Sequence, residues 1–242
     1  MNSIRKRRWD IINPILEEEI RKSGKKEKSS ISFSKLSWGK LARAFPMEKL
    51  VLDIGSVSIP SESQDLLYEQ LLAIHRLFGS VKSGKEAKLL QFISPILISV
   101  CQLLPSVHIS VEEDMSGVYV RANGRFEFML EYEGKKVCIV EAKKDDMEQG
   151  QVQSLLGCEV VAEIEGKSTI YAIVTNYIEW MVFKNTDDIT YSCLRTIEFE
   201  NDIPSKESLG KVTRLIFAIL TEIETESAVV AEAGEQSKVG ST

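Results

Sequence analysis

The spacing of apolar positions changes several times along the chain, and each change marks a predicted element. From residue 61 to 78 the stripe Leu67, Leu71, Ile74, Phe78 has the three- and four-residue spacing of one helix face, with Ser61 or Ser63 placed to cap it. After a loop at 79–84, a second helix is predicted over about 85–104, burying Leu90, Ile93, Leu97 and Cys101 and bending at Pro95. The period then shortens. Residues 107–113, 118–122, 125–132 and 136–142 alternate or run apolar as strands do. Helical spacing returns at 146–162 through Val152, Leu155, Leu156 and Val160. Strands follow at 168–174, 178–183 and near 190–199, and Ser205 after Pro204 caps a last helix ending near 224. Helices, a strand meander, a helix and further strands define an α/β fold with a mixed central sheet flanked by helices.

Charge adds an uneven distribution to this picture. The 242 residues carry a net charge of −6, yet residues 1–45 hold twelve Lys/Arg against five Asp/Glu. This excess reads as a helical, basic N-terminal extension over 1–60, solvated or serving as a nucleic-acid or nuclear-import patch through Arg5, Lys6, Arg7 and Arg8. The main domain spans 61–225, and 226–242, rich in Ala, Gly, Ser and Glu without apolar periodicity, reads as a disordered acidic tail. The apolar stretch 92–104 is interrupted by Ser94, Pro95, Ser99 and Gln102, short of the roughly 20 residues of a membrane span, and no signal-peptide core follows the basic start. The four cysteines are far apart with no CxxC pair, as expected in a reducing, intracellular compartment.

With only His75 and His108 and no GxGxxG, GxxxxGK[ST], GxSxG or HExxH, histidine triads and nucleotide loops are poor fits. The acidic residues carry more. Glu-x-Lys occurs at Glu86, Glu133, Glu141 and Glu165, but only Glu141-Ala142-Lys143 closes an apolar strand. Residues two apart on a strand share a face, so Glu141 and Lys143 continue the face of Val137 and Ile139. Charges there are costly unless paired or used. If 133–135 is a three-residue hairpin loop, Met129 opposes Ile139 and Glu127 opposes Glu141; a two-residue loop shifts the register and breaks the pairing. Facing carboxylates repel, and a hard divalent cation relieves that. Glu86 falls on the buried stripe of its helix as a third carboxylate, or is simply a first-turn acid favoured by the helix dipole. The plain alternative for Glu127, Glu141 and Lys143 is a partly buried ion-pair network.

Through NGRFEFMLEYEGKKVCIVEAKKDDMEQGQVQSLLGCEVV (123–161), preceded by GKEAKLLQFISPIL and followed by IYAIVTNYIEWMVF, the chain resembles the PD-(D/E)XK nuclease superfamily, and within it the nuclease-like C-terminal domains of Crinkler-type effectors. The resemblance covers roughly residues 84–184. It implies a restriction-endonuclease-like core and a Mg²⁺-dependent nuclease, with Mn²⁺ as substitute, that hydrolyses DNA, or RNA, phosphodiester bonds. It assigns Glu127, Glu141 and Glu86 to the metal, and adds Lys143 and Gln153 to the catalytic set; Gln153 is otherwise an ordinary helix amide. Arg125, Lys144 and the basic arm would hold the nucleic-acid backbone. Glu127 stands where the family usually has aspartate, and Phe126 where a proline, often absent in the family, would stand. The longer acid fits an alternative, a catalytically weakened module of the same fold that binds nucleic acid or a protein. No translocation segment of the Crinkler type is read at the start, so the chain is expected to be a domain of a longer effector or an intracellular relative, acting in the nucleus of a host cell in the first case.

Overall fold

The computed structural model describes residues 3–26, 29–200 and 203–239, with side chains described up to 229. Its first helix, α1 (Ser3–Lys22), carries Trp9, Ile12, Leu16 and Ile20 at helical spacing, all buried. Short elements follow: β1 (Ile31–Ser32), a 3₁₀ turn at Phe33–Lys35, α2 (Trp38–Leu41) and β2 (Met47–Lys49). Next come α3 (Ser61–Phe78), α4 (Glu86–Cys101), β3 (Val107–Ser116), β4 (Ala122–Tyr132), β5 (Lys135–Ala142) and α5 (Met147–Glu165). The chain continues through β6 (Ile170–Thr175), β7 (Glu179–Asn185), β8 (Thr190–Thr196), the small hairpin β9 (Phe199–Glu200) and β10 (Ile203–Pro204), and α6 (Lys206–Val239).

The protein is therefore α/β, with six described helices about a mixed sheet. Eight strands form that sheet in the order β1-β4-β5-β6-β7-β8-β2, with β3 added against β4. The pairs β1/β4, β5/β6 and β2/β8 are parallel and the rest antiparallel. One face is covered by α3, α4 and α6 through Leu71, Phe92, Ile93, Leu97, Leu215 and Ile219. On the other face lies α5, which connects the parallel strands β5 and β6, and α1 joins the same core cluster. Among the described residues no helix is long and apolar enough to cross a membrane.

Burial on two sides explains why α5 is apolar nearly all round: Gly150, Val152 and every residue from Ser154 to Ala162 are buried. Gly157 lets it approach the sheet. A Cβ there would stand 2.2 Å from Phe126 Cζ and 2.8 Å from Ile139 Cδ1. Gly157→Ala is expected to destabilise the protein by about 1–3 kcal/mol in urea unfolding, the usual range for overpacking.

Several expectations need correction. The N-terminal region is no separate extension, because α1 packs in the core beside α5 and β1 and β2 are strands of the main sheet. Residues 118–120 form a bend rather than a strand, and β4 begins only at Ala122. Pro60, with no capping side chain, precedes α3 in place of a serine cap. Leu90 is half-buried and Phe78 is 47% exposed. Helix α6 continues to Val239 through most of the stretch read as disordered, in keeping with the helix preference of its Ala and Glu residues; 240–242 lie outside the described residues.

The β4–β5 hairpin also closes differently. Its loop is the two-residue turn Glu133-Gly134, both at positive φ (50° and 75°), with Tyr132 opposite Lys135. A bulge between Leu130 and Glu131 then absorbs one residue. Beyond it Met129 opposes Ile139, the same pair that the three-residue loop predicted.

Candidate functional site

Strand β5 ends beside its parallel neighbour β6, with Glu141 opposite Val174 and Ala142 opposite Thr175; the Lys143 N–H then donates to the Thr175 carbonyl at 2.9 Å. In sheets of this kind, ligand sites gather outside the carboxyl ends of parallel strands. Here Glu141, Lys143, Glu127 and Glu86 meet.

Glu141 is 1% exposed and its Oε1 accepts from Lys143 Nζ at 2.7 Å. Its Oε2 is buried with no hydrogen-bond partner among the described residues. Half-buried Glu127 arrives from β4 and is fixed by the Ala142 N–H, which donates to its Oε2 at 3.2 Å. Lys143 Nζ also lies 3.8 Å from Glu86 Oε1. Glu86 is not on the buried stripe: its side chain is 45% exposed at the first position of α4, while Leu89, Phe92, Ile93 and Ile96 fill the interior. The lysine thus bridges the inner and outer acids.

The backbone positions Lys143 closely. Asp146 caps α5 by accepting from the Gln149 N–H at 2.9 Å, and Gly150 in the first turn faces the lysine. A Cβ at Gly150 would meet Lys143 Cγ at 2.8 Å and Val174 Cγ1 at 2.6 Å. Gln153, one turn on, is half-buried on the side of α5 that carries Gly150 and Gly157.

Electrostatics follow from this packing. Burial, then the charge and hydrogen bond of Glu127, push the Glu141 carboxyl up to about 9 against the pull of Lys143. A carboxyl raised to that value keeps its proton at neutral pH. For Lys143, burial pulls the pKa down, but Glu141, Glu127 and Glu86 outweigh it and the ammonium sits above its ordinary value. The Glu141 proton has a measurable consequence. Between the ordinary value of 4.5 and about 9 the native state binds more of this proton than the unfolded chain. This contribution to stability is therefore fully present below about pH 4.5 and is lost as pH rises through 9. The expected slope reaches at most about 1.4 kcal/mol per pH unit for one proton, read by urea unfolding in EDTA at stepped pH.

The donor set fits a cation in part. Two carboxylates converge, one with a buried unpartnered oxygen, and oxygen ligands suit Mg²⁺. Among the described residues no three Asp, Glu, His or Cys side chains form a metal-holding group, since Lys143 stands between Glu141 and Glu86.

The expected nucleic-acid contacts are redistributed. Arg5 and Arg8 are 3% and 4% exposed: Arg8 Nη1 donates to Glu159 Oε1 at 2.8 Å, and Arg5 Nε to Asp187 Oδ1 at 2.7 Å. Neither guanidinium reaches the surface, because the fully buried Glu159 needs their charge. Lys6 and Arg7 are exposed. Arg125 is engaged bidentately with Asp114, both contacts 3.0 Å, and lies 3.6 Å from Glu112. Lys144 is half-buried next to Lys143. Sequence reasoning missed the loop before α4. Exposed Lys82 and Lys85 flank Gly84, and Lys88 stiffens the loop by donating to the Ser80 carbonyl at 2.8 Å and to Ser83 Oγ at 3.1 Å. Its three-residue lysine spacing beside Glu86 was the available signal.

These features define an α/β protein with an acid–acid–lysine constellation at the carboxyl end of a parallel strand pair. No protein-family model matches the chain. It is 37% identical over 224 residues to Crinkler effector protein 5 of Phytophthora infestans, covering 90% of this chain and 62% of that protein. The homology relates the chain to the Crinkler effectors, and the chain spans about three-fifths of that relative's length.

Proposed function

We propose that the chain is the nuclease-like part of a Crinkler-type effector, a PD-(D/E)XK-type domain that hydrolyses DNA phosphodiester bonds with Mg²⁺. One observation carries the reading: the buried, unpartnered Glu141 Oε2 lies beside Glu127, with Lys143 locked onto the other oxygen. The β4–β5 hairpin and the β5-α5-β6 crossover that build this corner agree with a restriction-endonuclease-like core.

Glu127 and Glu141 would hold the cation, with exposed Glu86 reaching it through water. When bound, Mg²⁺ would polarise the scissile phosphate and lower the pKa of the attacking water. Glu141 gives up its proton to take this role, so cation affinity rises with pH. The ammonium of Lys143 would neutralise charge developing on the phosphate, and Gln153 would orient the water or a phosphate oxygen. Lys82, Lys85 and Lys144 stand close in the chain to these acids, where cations hold a backbone without reading its bases. A DNA substrate would place the reaction in a nucleus.

A second reading, a catalytically weakened module that binds nucleic acid or protein, is favoured by the convergence of only two carboxylates and by the longer Glu127. Incubation of plasmid and linear DNA with the purified protein in Mg²⁺, Mn²⁺ or EDTA separates the two. We expect cleavage that EDTA stops, weak in Mg²⁺ and stronger in the less exacting Mn²⁺. Intact DNA under every divalent metal would leave the binding module as the function.

A further inference from the structure

One edge of the main sheet is only half covered. Strand β2 pairs with β8 at Met47–Thr190, Glu48–Tyr191 and Lys49–Ser192, and the Leu50 N–H adds a bond to the Ser192 carbonyl at 2.8 Å. The chain then leaves the edge. The Thr190 N–H also points outward, to the Pro46 carbonyl at 3.0 Å, so the period of two directs the main-chain groups of Leu194 and Thr196 outward as well. Among the described residues neither has a main-chain partner on that side, and the Leu194 carbonyl is held only by the guanidinium of its neighbour, with Arg195 Nη1 donating at 2.9 Å. A contact so local is easily exchanged for the N–H of an incoming strand.

Beside this free edge lies a groove of about 530 Å³, lined by Lys49, Leu50–Leu52, Met181 and Ser192–Arg195. Leu194 is 47% exposed and Val51 80% exposed, an apolar floor and rim. The charged residues lining the groove are both cations, Lys49 and Arg195. Unpaired strand edges next to side-chain pockets accept extended peptides, with main-chain bonds giving affinity and pockets giving choice.

We propose that the free end of β8 is a docking edge for an extended acidic peptide of a partner protein, which adds a strand against Leu194–Thr196. An apolar residue of the peptide covers Leu194 and Met181, and carboxylates on either side meet Lys49 and Arg195. A second copy of this chain is a poor occupant, because pairing β8 with β8 sets the same cations against each other. The inference does not depend on the nuclease reading, whose residues lie at the end of β5.

The test uses the full chain and a fluorescein-labelled octapeptide of alternating Val and Asp, followed by anisotropy. Comparison probes are a Val/Lys octapeptide, an N-methylated Val/Asp octapeptide that lacks alternate N–H donors, and a single-stranded DNA 12-mer. The Val/Asp peptide is expected to bind at least tenfold more tightly than the Val/Lys or the N-methylated peptide. Lys49→Glu/Arg195→Glu should reverse the charge preference; should that pair lower solubility, Lys49→Glu alone, at an exposed position, should reduce Val/Asp binding severalfold. Amide exchange at 192–196 should slow in the complex. Equal binding of all three peptides, or no protection at 192–196, would overturn the proposal. So would sedimentation as a dimer that Lys49→Glu abolishes, or displacement of the peptide by the 12-mer at lower concentration, which would make the groove a nucleic-acid site.

Discussion

Glu141→Gln is expected to abolish metal-dependent DNA cleavage, by about 1,000-fold or more, without unfolding the protein. The substitution keeps the side-chain volume and the contact to Lys143, whose ammonium donates at 2.7 Å to an oxygen that the amide retains. What it removes is the carboxylate that would face Glu127, and losing a metal ligand forfeits several kcal/mol of charge stabilisation. The same variant also loses the titration that makes stability fall as pH rises toward 9. Two readouts therefore come from one protein: endpoint cleavage of plasmid in Mn²⁺, and urea unfolding at pH 5 and pH 9. Full cleavage by the glutamine variant would remove Glu141 from the mechanism. Lost cleavage with an unchanged pH slope would mean that its proton is held elsewhere.

Glu159→Leu should cost about 3–5 kcal/mol, the usual penalty for breaking a buried ion pair from one side. Glu159 is fully buried and gathers Arg8, Arg5, the Trp9 indole N–H at 2.6 Å and the Asn185 amide at 2.7 Å. Removing it leaves two guanidinium groups in the interior, with Asp187 beside Arg5. Adding Arg8→Met should recover part of the loss, because the uncompensated charge goes with it. Deleting residues 1–28 is a harsher version of the same change. It uncovers the apolar surface of α5 and is expected to abolish cooperative urea unfolding, rather than merely weaken DNA binding as a detachable arm would. A truncated protein that unfolds with the full chain's midpoint would contradict this.

The strands were legible because their alternation is local: 125–132 and 136–142 fall within β4 and β5, and Met129 does oppose Ile139. The loop leading to that pair was left open between two and three residues, and the two-residue turn does not break the pairing as expected, because a bulge restores the register. Glu141 and Lys143 could be picked out because charges rarely finish an apolar strand. Of the two readings of Glu86, the structure gives the exposed first-turn acid rather than the buried stripe, because at a first turn the apolar stripe fixes orientation weakly. The N-terminal arm was the larger error. Arg5 and Arg8 look like any exposed basic run, and the groups that neutralise them lie more than 150 residues away, at Glu159 and Asp187. No local pattern records such a pairing.

That separation also governs the order of assembly during synthesis. Helix α1 leaves the ribosome well before its partners, since Arg5 meets Asp187 only 182 residues later. At about 5–20 residues per second this is a delay of roughly 10–35 s. For most of it the stripe of Trp9, Ile12, Leu16 and Ile20 can pack only on the short elements at 31–45, before α5 and the sheet complete the core. This helix is thus a natural client for a chaperone during synthesis, released when the last strands of the sheet are made.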